Sequence, residues 1–171
     1  VAFLIIAEKL NNIIKICKNN LRRHVLGLNE IHLRGIHNAE NICAAIAATE
    51  DLVDIETQIE AIKTFKGVNH RLEYVRTING AKWYNDSIAS SPTRTIAGLN
   101  SFNENIVLIA GGYDKHLDYE PIARPVIDKV STLILMGQTA EKINTVVLEE
   151  LKNNNKQIEI SSGSLFVNHN I

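Results

Sequence analysis

The second half of the chain alternates between strand-like and helix-like segments, and this alternation is the feature that most limits its possible folds. Short apolar runs at 106–110, 132–136 and 157–160 predict strands, and the amphipathic segments 119–129 and 140–151 predict helices. Such an order implies parallel strands joined by helices. We therefore predict an α/β fold whose C-terminal part is a Rossmann-like open parallel sheet with flanking helices.

The first part of the chain carries mainly helical patterns. Apolar residues recur at three- and four-residue steps over 3–17, which predicts a helix, and two more helices are predicted over 38–52 and 55–64. A strand-like pattern then begins at 72, with Asn79-Gly80 as a hairpin turn. We predict a domain division between residues 68 and 69.

Composition excludes several classes of protein. Of the 171 residues, 45% are hydrophobic and the net charge is -1, so the basic surface typical of nucleic-acid-binding proteins is not expected. The first apolar stretch is too short to span a membrane and lacks the basic start of a signal peptide, which predicts a cytoplasmic protein. Cys17 and Cys43 have no metal-binding spacing and are expected to be reduced thiols.

Two loops at predicted strand ends carry polar side chains suited to ligands, which bind at that edge of open α/β sheets. The first, at 85–93, reads Asn-Asp-Ser-Ile-Ala-Ser-Ser-Pro-Thr. The simplest interpretation is a helix start, with Pro92 in its first turn and Ser90 or Ser91 as its cap. The functional interpretation is that Asp86 reaches a nucleotide or a metal-bound water while Ser90 holds a carboxylate or phosphate.

The second loop, at 111–116, reads Gly-Gly-Tyr-Asp-Lys-His. Paired glycines allow a sharp turn and close approach to a ligand, and Lys115 can neutralise an oxyanion. The spacing is not that of a phosphate-binding P-loop.

Two further pairs are candidates. Asn38 and Asn41 stand three residues apart at a predicted helix start, after His37, so they are either a cap with an exposed neighbour or two amides facing a ligand. His70 and Arg71 fall near the predicted domain division, where clefts form. An arginine there forms either a structural ion pair or a ligand clamp.

Four stretches of the sequence, taken in their order along the chain, resemble the Mur ligase family. Two motifs, Asn-Asp-Ser-x-Ala-Ser and Gly-Gly-x-Asp-Lys, indicate its D-glutamate-adding members. The resemblance spans about residues 31–152, most of the chain. The matching stretches are 33–41, 65–73, 84–99 and 111–115.

The resemblance implies an ATP- and Mg²⁺-dependent ligase that joins D-glutamate to UDP-N-acetylmuramoyl-L-alanine through an acyl phosphate. Lys115 and Asp86 are the implied catalytic residues, and Ser90 and Lys115 would hold the D-glutamate carboxylates. The implied ATP contacts are Asn38, Asn41, His70, Arg71 and Asp86.

The chain also departs from the family pattern. Ile88 stands where many relatives have lysine, and Ser90 where threonine is commoner. The family's P-loop and magnesium-binding residues are missing, so we expect residues 1–68 to be the helical end of a P-loop-type ATPase domain, with the metal ligands elsewhere. Since the chain starts at Val1 and ends at Ile171 after a polar run, we expect both ends to be internal to a longer protein.

Such a fragment is expected to be inactive alone and the full-length protein to be a monomer. Two alternatives stay open. One is a domain that binds a nucleotide or an acidic ligand without turnover. The other is a different ligase of the broad family, of the folate-glutamate type, which the Asn-Asp-Ser loop disfavours.

Overall fold

The structure, a computed structural model, describes residues 3–8, 13–18 and 21–162. The chain divides into two compact units, Val1–Ile88 and Ala89–Ile171. A compact unit need not coincide with a domain defined by sequence, so the division after residue 68 stays a prediction.

The first unit begins with a three-stranded antiparallel sheet formed by β1 (Phe3–Glu8), β2 (Ile13–Lys18) and β3 (Leu21–Gly27). The helix predicted over 3–17 is therefore wrong. The segment is rich in isoleucine, whose branched Cβ favours strands. The helical spacing was only apparent, because it combined apolar residues from two separate strands into one series.

Two helices follow, α1 (Ile36–Thr49) and α2 (Ile55–Thr64), which confirms the other helices predicted for this part. The Asp54 side chain caps α2 by accepting a hydrogen bond from the Thr57 N–H at 2.8 Å. The core of the unit joins the sheet to the helices through five buried side chains. These are Ile14, Val25, Leu26, Ile42 and Ile46.

An antiparallel hairpin completes the first unit. Its strands are β4 (Glu73–Ile78) and β5 (Ala81–Asn85). Asn79 and Gly80 at the turn have φ of 50° and 82°, as a two-residue hairpin turn with right-handed strand twist requires. The hairpin predicted at this position is confirmed.

The second unit is built on a parallel sheet of order β6-β7-β8, which confirms the predicted α/β class. Its strands are β6 (Ile106–Gly112), β7 (Val130–Gly137) and β8 (Glu159–Ser162). The helices are α3 (Pro92–Leu99), α4 (Glu120–Lys129) and α5 (Ala140–Lys152). The strand–helix alternation of the sequence is thus the order of the fold.

The core of this unit lies between the sheet and its helices. Leu133 and Leu135 of β7 are fully buried and pack with Val126 of α4 and Val147 of α5. Side chains on a strand alternate between two faces, and the opposite face of β6 leaves Val107 and Ile109 exposed. This packing fixes the loops that leave the carboxyl ends of β6 and β7.

In the part of the chain that the structure describes, no helix is long and apolar enough to cross a membrane. Cys43 is a free, half-buried thiol, and burial raises its pKa. The side chain of Cys17 lies outside the described part of the structure.

Candidate functional site

The first group of candidate residues surrounds a strained turn in the first unit. His70 and Leu72 have φ of 65° and 45°, a left-handed conformation that is costly for side chains of this size. Carboxylates hold both residues: Glu73 Oε2 accepts the His70 N–H at 2.8 Å, and Asp86 Oδ1 accepts the Leu72 N–H at 3.0 Å. Arg71 lies between these two anchored residues.

The His70 ring contacts Asn85, the last residue of β5. Asn85 Nδ2 lies 2.9 Å from His70 Nδ1 and 3.5 Å from Glu73 Oε2. The His70 carbonyl accepts the Ile88 N–H at 3.2 Å. His70 and Asp86 therefore help to shape the turn. From the sequence, His70 was predicted as an ATP contact, and Asp86 as both an ATP contact and a catalytic residue.

The start of α1 lies close enough to this turn for their charges to interact. The pKa of His37 is lowered chiefly by burial and further by the positive charge of Arg71, while Asp86 opposes the shift. The structure thus brings His37, Arg71 and Asp86, which are distant in sequence, within electrostatic range of one another.

Asn38 and Asn41 do not form a cap. The N-cap of α1 is Gly35, with φ of 89°, and Asn38 lies inside the first turn, where its Nδ2 donates to the Arg34 carbonyl at 2.6 Å. Asn41 is exposed and donates to Asn38 Oδ1 at 3.3 Å. The cap interpretation of Asn38 is therefore wrong, and the two amides do share one side of the helix.

A pocket of about 450 Å³ opens beside these residues, entirely within the first unit. Its size falls in the range of small-molecule sites. Arg34, Lys66 and Arg71 supply positive charge, and Glu73 supplies one carboxylate. This excess of positive charge suits an anionic ligand.

The same pocket has an aromatic wall. Tyr84 packs edge-to-face against Tyr74, with ring centroids 5.7 Å apart, and the Arg34 guanidinium lies 5.3 Å from the Tyr84 centroid. Aromatic faces and cations in one pocket suit a ligand that has both a planar ring and phosphate groups. Its lining also includes Asn38.

In the second unit, Lys115 lies in the loop that follows the carboxyl end of β6, a strand of the parallel sheet. Gly111 has φ of 125°, and a Cβ there would lie 1.9 Å from the Met136 carbonyl oxygen. Only glycine allows β6 to approach β7 this closely before the chain turns into loop 111–116. Lys115 is exposed in this loop.

Ser90 lies in the other predicted loop, two residues before α3. It is exposed, and the next residue, Ser91, is the N-cap of the helix, although the Ser91 side chain makes no capping hydrogen bond. Pro92 is the first helical residue, so the predicted helix start is confirmed.

Sequence reasoning missed part of the pocket lining. Arg34, Lys66, Tyr74 and Tyr84 were not assigned a role, although Arg34 and Lys66 each precede a glycine, as residues at ligand loops often do. In the described ranges, no three histidine, cysteine, aspartate or glutamate side chains are grouped so as to hold a metal ion.

The fold and these loops define an α/β protein with polar sites at strand ends. Residues 70–163 match the family model described as Mur ligase, glutamate ligase domain. The chain therefore belongs to the Mur ligase family.

Two curated relatives are similar to this chain over most of its length. The UDP-N-acetylmuramoylalanine--D-glutamate ligase of Acetivibrio thermocellus is 52% identical over 77% of this chain and 28% of that protein. The ligase of the same name from Clostridium novyi is 47% identical over 82% of this chain and 31% of that protein. The chain thus spans less than a third of the length of these relatives.

Solved structures share the fold at low sequence identity. The UDP-N-acetylmuramate-alanine ligase of Thermotoga maritima has a TM-score of 0.63 at 18% identity, covering 90% of this chain and 35% of that chain. The folylpolyglutamate synthase of the same organism has a TM-score of 0.58 at 20% identity, and the match covers 96% of this chain and 44% of that chain.

Proposed function

We propose that this chain is part of an ATP-dependent amide ligase that adds D-glutamate to UDP-N-acetylmuramoyl-L-alanine in peptidoglycan precursor synthesis. The observation that carries the proposal is the 52% identity to a curated ligase of that name. Local chemistry supports it, because the chain offers a pocket lined by cationic and aromatic side chains and an exposed lysine in the loop after β6.

In the proposed reaction, the alanine carboxylate attacks the γ-phosphorus of ATP and ADP leaves. The amine of D-glutamate then attacks the acyl phosphate, loses a proton and displaces phosphate, which leaves an amide bond. Such chemistry depends mainly on positioning and charge stabilisation.

The first unit supplies the proposed ATP contacts. Arg71, fixed between two anchored residues, is suited to phosphate oxygens, since a guanidinium presents several donors at once. Asn38 and Asn41 offer amide groups, and Asp86 and His70 shape the turn that presents Arg71. Magnesium would neutralise phosphate charge. No three histidine, cysteine, aspartate or glutamate side chains among the described residues are grouped to hold it, and we propose that its ligands lie elsewhere in the enzyme.

The second unit supplies the proposed D-glutamate contacts. Lys115 would pair with a carboxylate of the amino acid, and Ser90 would donate a hydroxyl hydrogen bond to a carboxylate.

We propose a cytoplasmic enzyme, because ATP and the nucleotide-linked substrate are cytoplasmic compounds. We also propose that the full-length enzyme is a monomer. Neither nucleic acid nor membrane enters this reaction.

The test uses the protein translated from the complete open reading frame that contains these residues. ADP release should require both D-glutamate and UDP-N-acetylmuramoyl-L-alanine. Lys115→Ala should raise KM for D-glutamate at least about tenfold, because the cation that meets the anionic substrate is lost. Lys152→Ala, at the exposed end of α5, is the matched control and should leave KM unchanged.

Arg71→Ala gives a second, separate readout, a higher KM for ATP with an unchanged KM for D-glutamate. If the wild-type protein releases no ADP in response to both substrates, the ligase proposal fails. Calorimetric titration with ATP then decides whether the chain is a binding domain without turnover.

A further inference from the structure

The loop that carries Lys115 is fastened by its neighbour Asp114. One carboxylate oxygen, Oδ1, accepts the His116 N–H at 2.8 Å, and the other, Oδ2, accepts from Lys142 Nζ at 2.5 Å. The Asp114 N–H donates to Gln138 Oε1 at 3.1 Å. Asp114 therefore ties the loop after β6 to the chain segment after β7.

These contacts fix the backbone on both sides of Lys115. Asp114 precedes it with both its N–H and its carboxylate engaged, and His116 follows it with φ of 56°, a left-handed conformation that the Asp114 side chain stabilises. Lys115 itself is exposed and makes no ion pair with any residue in the described range 21–162. The backbone is thus held while the cationic side chain remains available.

Charge balance in the loop depends on Lys142. The Asp114 side chain is only 16% exposed, whereas that of Lys142 is 50% exposed. The hydrogen bond from Lys142 is the main reason that the pKa of Asp114 is lowered, so this carboxyl is ionised at neutral pH. Because Lys142 offsets that negative charge, the positive charge of Lys115 is not neutralised by Asp114 and remains available to an anionic ligand.

Without Lys142, the Asp114 carboxylate would have a different effect. Its negative charge would lie one residue from Lys115, where it could pair with the lysine and repel an anionic ligand. The contacts therefore predict that Lys142, through its contact with Asp114, controls how well Lys115 binds an anion.

We propose that Asp114 and Lys142 are positioning residues for Lys115. Asp114 fixes the loop backbone, and Lys142 cancels the charge of Asp114 so that Lys115 can pair with a substrate carboxylate. This inference rests on the proposed role of Lys115 in binding D-glutamate. It assigns no contact between substrate and either positioning residue.

The test measures KM and kcat for D-glutamate in the protein translated from the complete reading frame. Lys142→Met keeps the length of the side chain and removes its charge, and should raise KM about tenfold with kcat changed less than about twofold. KM for ATP should stay unchanged. Lys152→Met, an exposed lysine on the same helix, is the control and should have no effect.

The double variant Asp114→Asn with Lys142→Met separates charge from simple loss of structure. Asparagine keeps an oxygen that can accept the His116 N–H but carries no charge. KM for D-glutamate should therefore return to within about threefold of the wild-type value, since no unbalanced carboxylate remains. A loss of structure would instead make the double variant at least as poor as the single one.

Two results would overturn the inference while leaving the proposed function in place. One is an active wild-type protein whose KM is insensitive to Lys142→Met, and the other is a double variant that recovers nothing. A wild-type protein without D-glutamate-dependent turnover would instead overturn the proposed function, and this inference with it.

Discussion

At the scale of single residues, the candidate groups depend on neighbours that are distant in sequence. Asp86 accepts the Leu72 N–H across a separation of fourteen residues, and Asp114 accepts from Lys142 across twenty-eight. Each carboxylate stabilises a backbone turn next to a cation that was predicted to bind ligand. We therefore expect ligand binding at each of these cations to depend on the nearby carboxylate and its partner as well as on the cation itself.

His37 provides a residue-scale prediction about pH. Burial is the main cause of its lowered pKa and Arg71 the second, so Arg71→Ala should raise this pKa while leaving it below the ordinary histidine value. NMR titration of the imidazole resonances measures it. Arg76→Ala, an exposed arginine on the hairpin, is the control, and an equal shift in both variants would contradict the assignment.

The sign of the related stability effect follows from the direction of the shift. A histidine with a lowered pKa in the folded state is held neutral there, so the folded chain binds fewer protons than the unfolded chain. The stability contribution of His37 is present above the ordinary histidine pKa, about 6.5. It is lost as pH falls through the lower folded-state value, and His37→Gln should remove this dependence.

At the scale of elements, the approach of β6 to β7 decides where the Lys115 loop begins. Gly111 lies at the end of β6 with its Cα against the Met136 carbonyl, while Gly112, with φ of 136°, has open space where a Cβ would lie. Both residues need a backbone conformation that other residues rarely adopt. Only Gly111 is also restricted by contact with a second strand.

This difference gives a prediction for a matched pair of variants. Gly112→Ala should lower the free energy of unfolding by about 1–3 kcal/mol, the cost of backbone strain alone. Gly111→Ala should cost more, because its Cβ would lie 1.9 Å from a backbone oxygen and the strands would have to separate. Urea unfolding of both variants measures the difference, and equal losses would show that the close contact is unimportant.

At the scale of the whole molecule, the residues that the structure describes form two hydrophobic cores with no residue in common. One includes Ile46 of α1 and the other Leu135 of β7, at 1% and 0% exposure. Each compact unit therefore has apolar burial of its own to support its folding.

The two cores predict two regions of separate stability. Ile46→Ala and Leu135→Ala should each lower the stability of their own unit by about 2–5 kcal/mol, the usual cost of truncating a buried aliphatic side chain. Hydrogen exchange followed by mass spectrometry should show faster exchange within 21–88 for the first variant and within 89–162 for the second. Faster exchange throughout the chain in both variants would indicate one cooperative unit.

The sequence by itself determined the elements that have a strong period of their own and clear end signals. The strand–helix alternation from 106 to 160, the Asn79-Gly80 turn and the helix that starts at Pro92 all follow from local patterning and turn chemistry, which act within a few residues. The loops that carry Ser90 and Lys115 were placed at strand ends for the same reason.

Only the tertiary structure decided features that depend on pairing across the chain. Isoleucine-rich residues 3–17 fit a helical period, but antiparallel pairing makes them two strands. The aromatic pocket, the left-handed turn around Arg71 and the Asp114–Lys142 contact each join segments that are far apart in sequence. Local patterns carry no record of such contacts, because their energy is gained only when the distant segments meet.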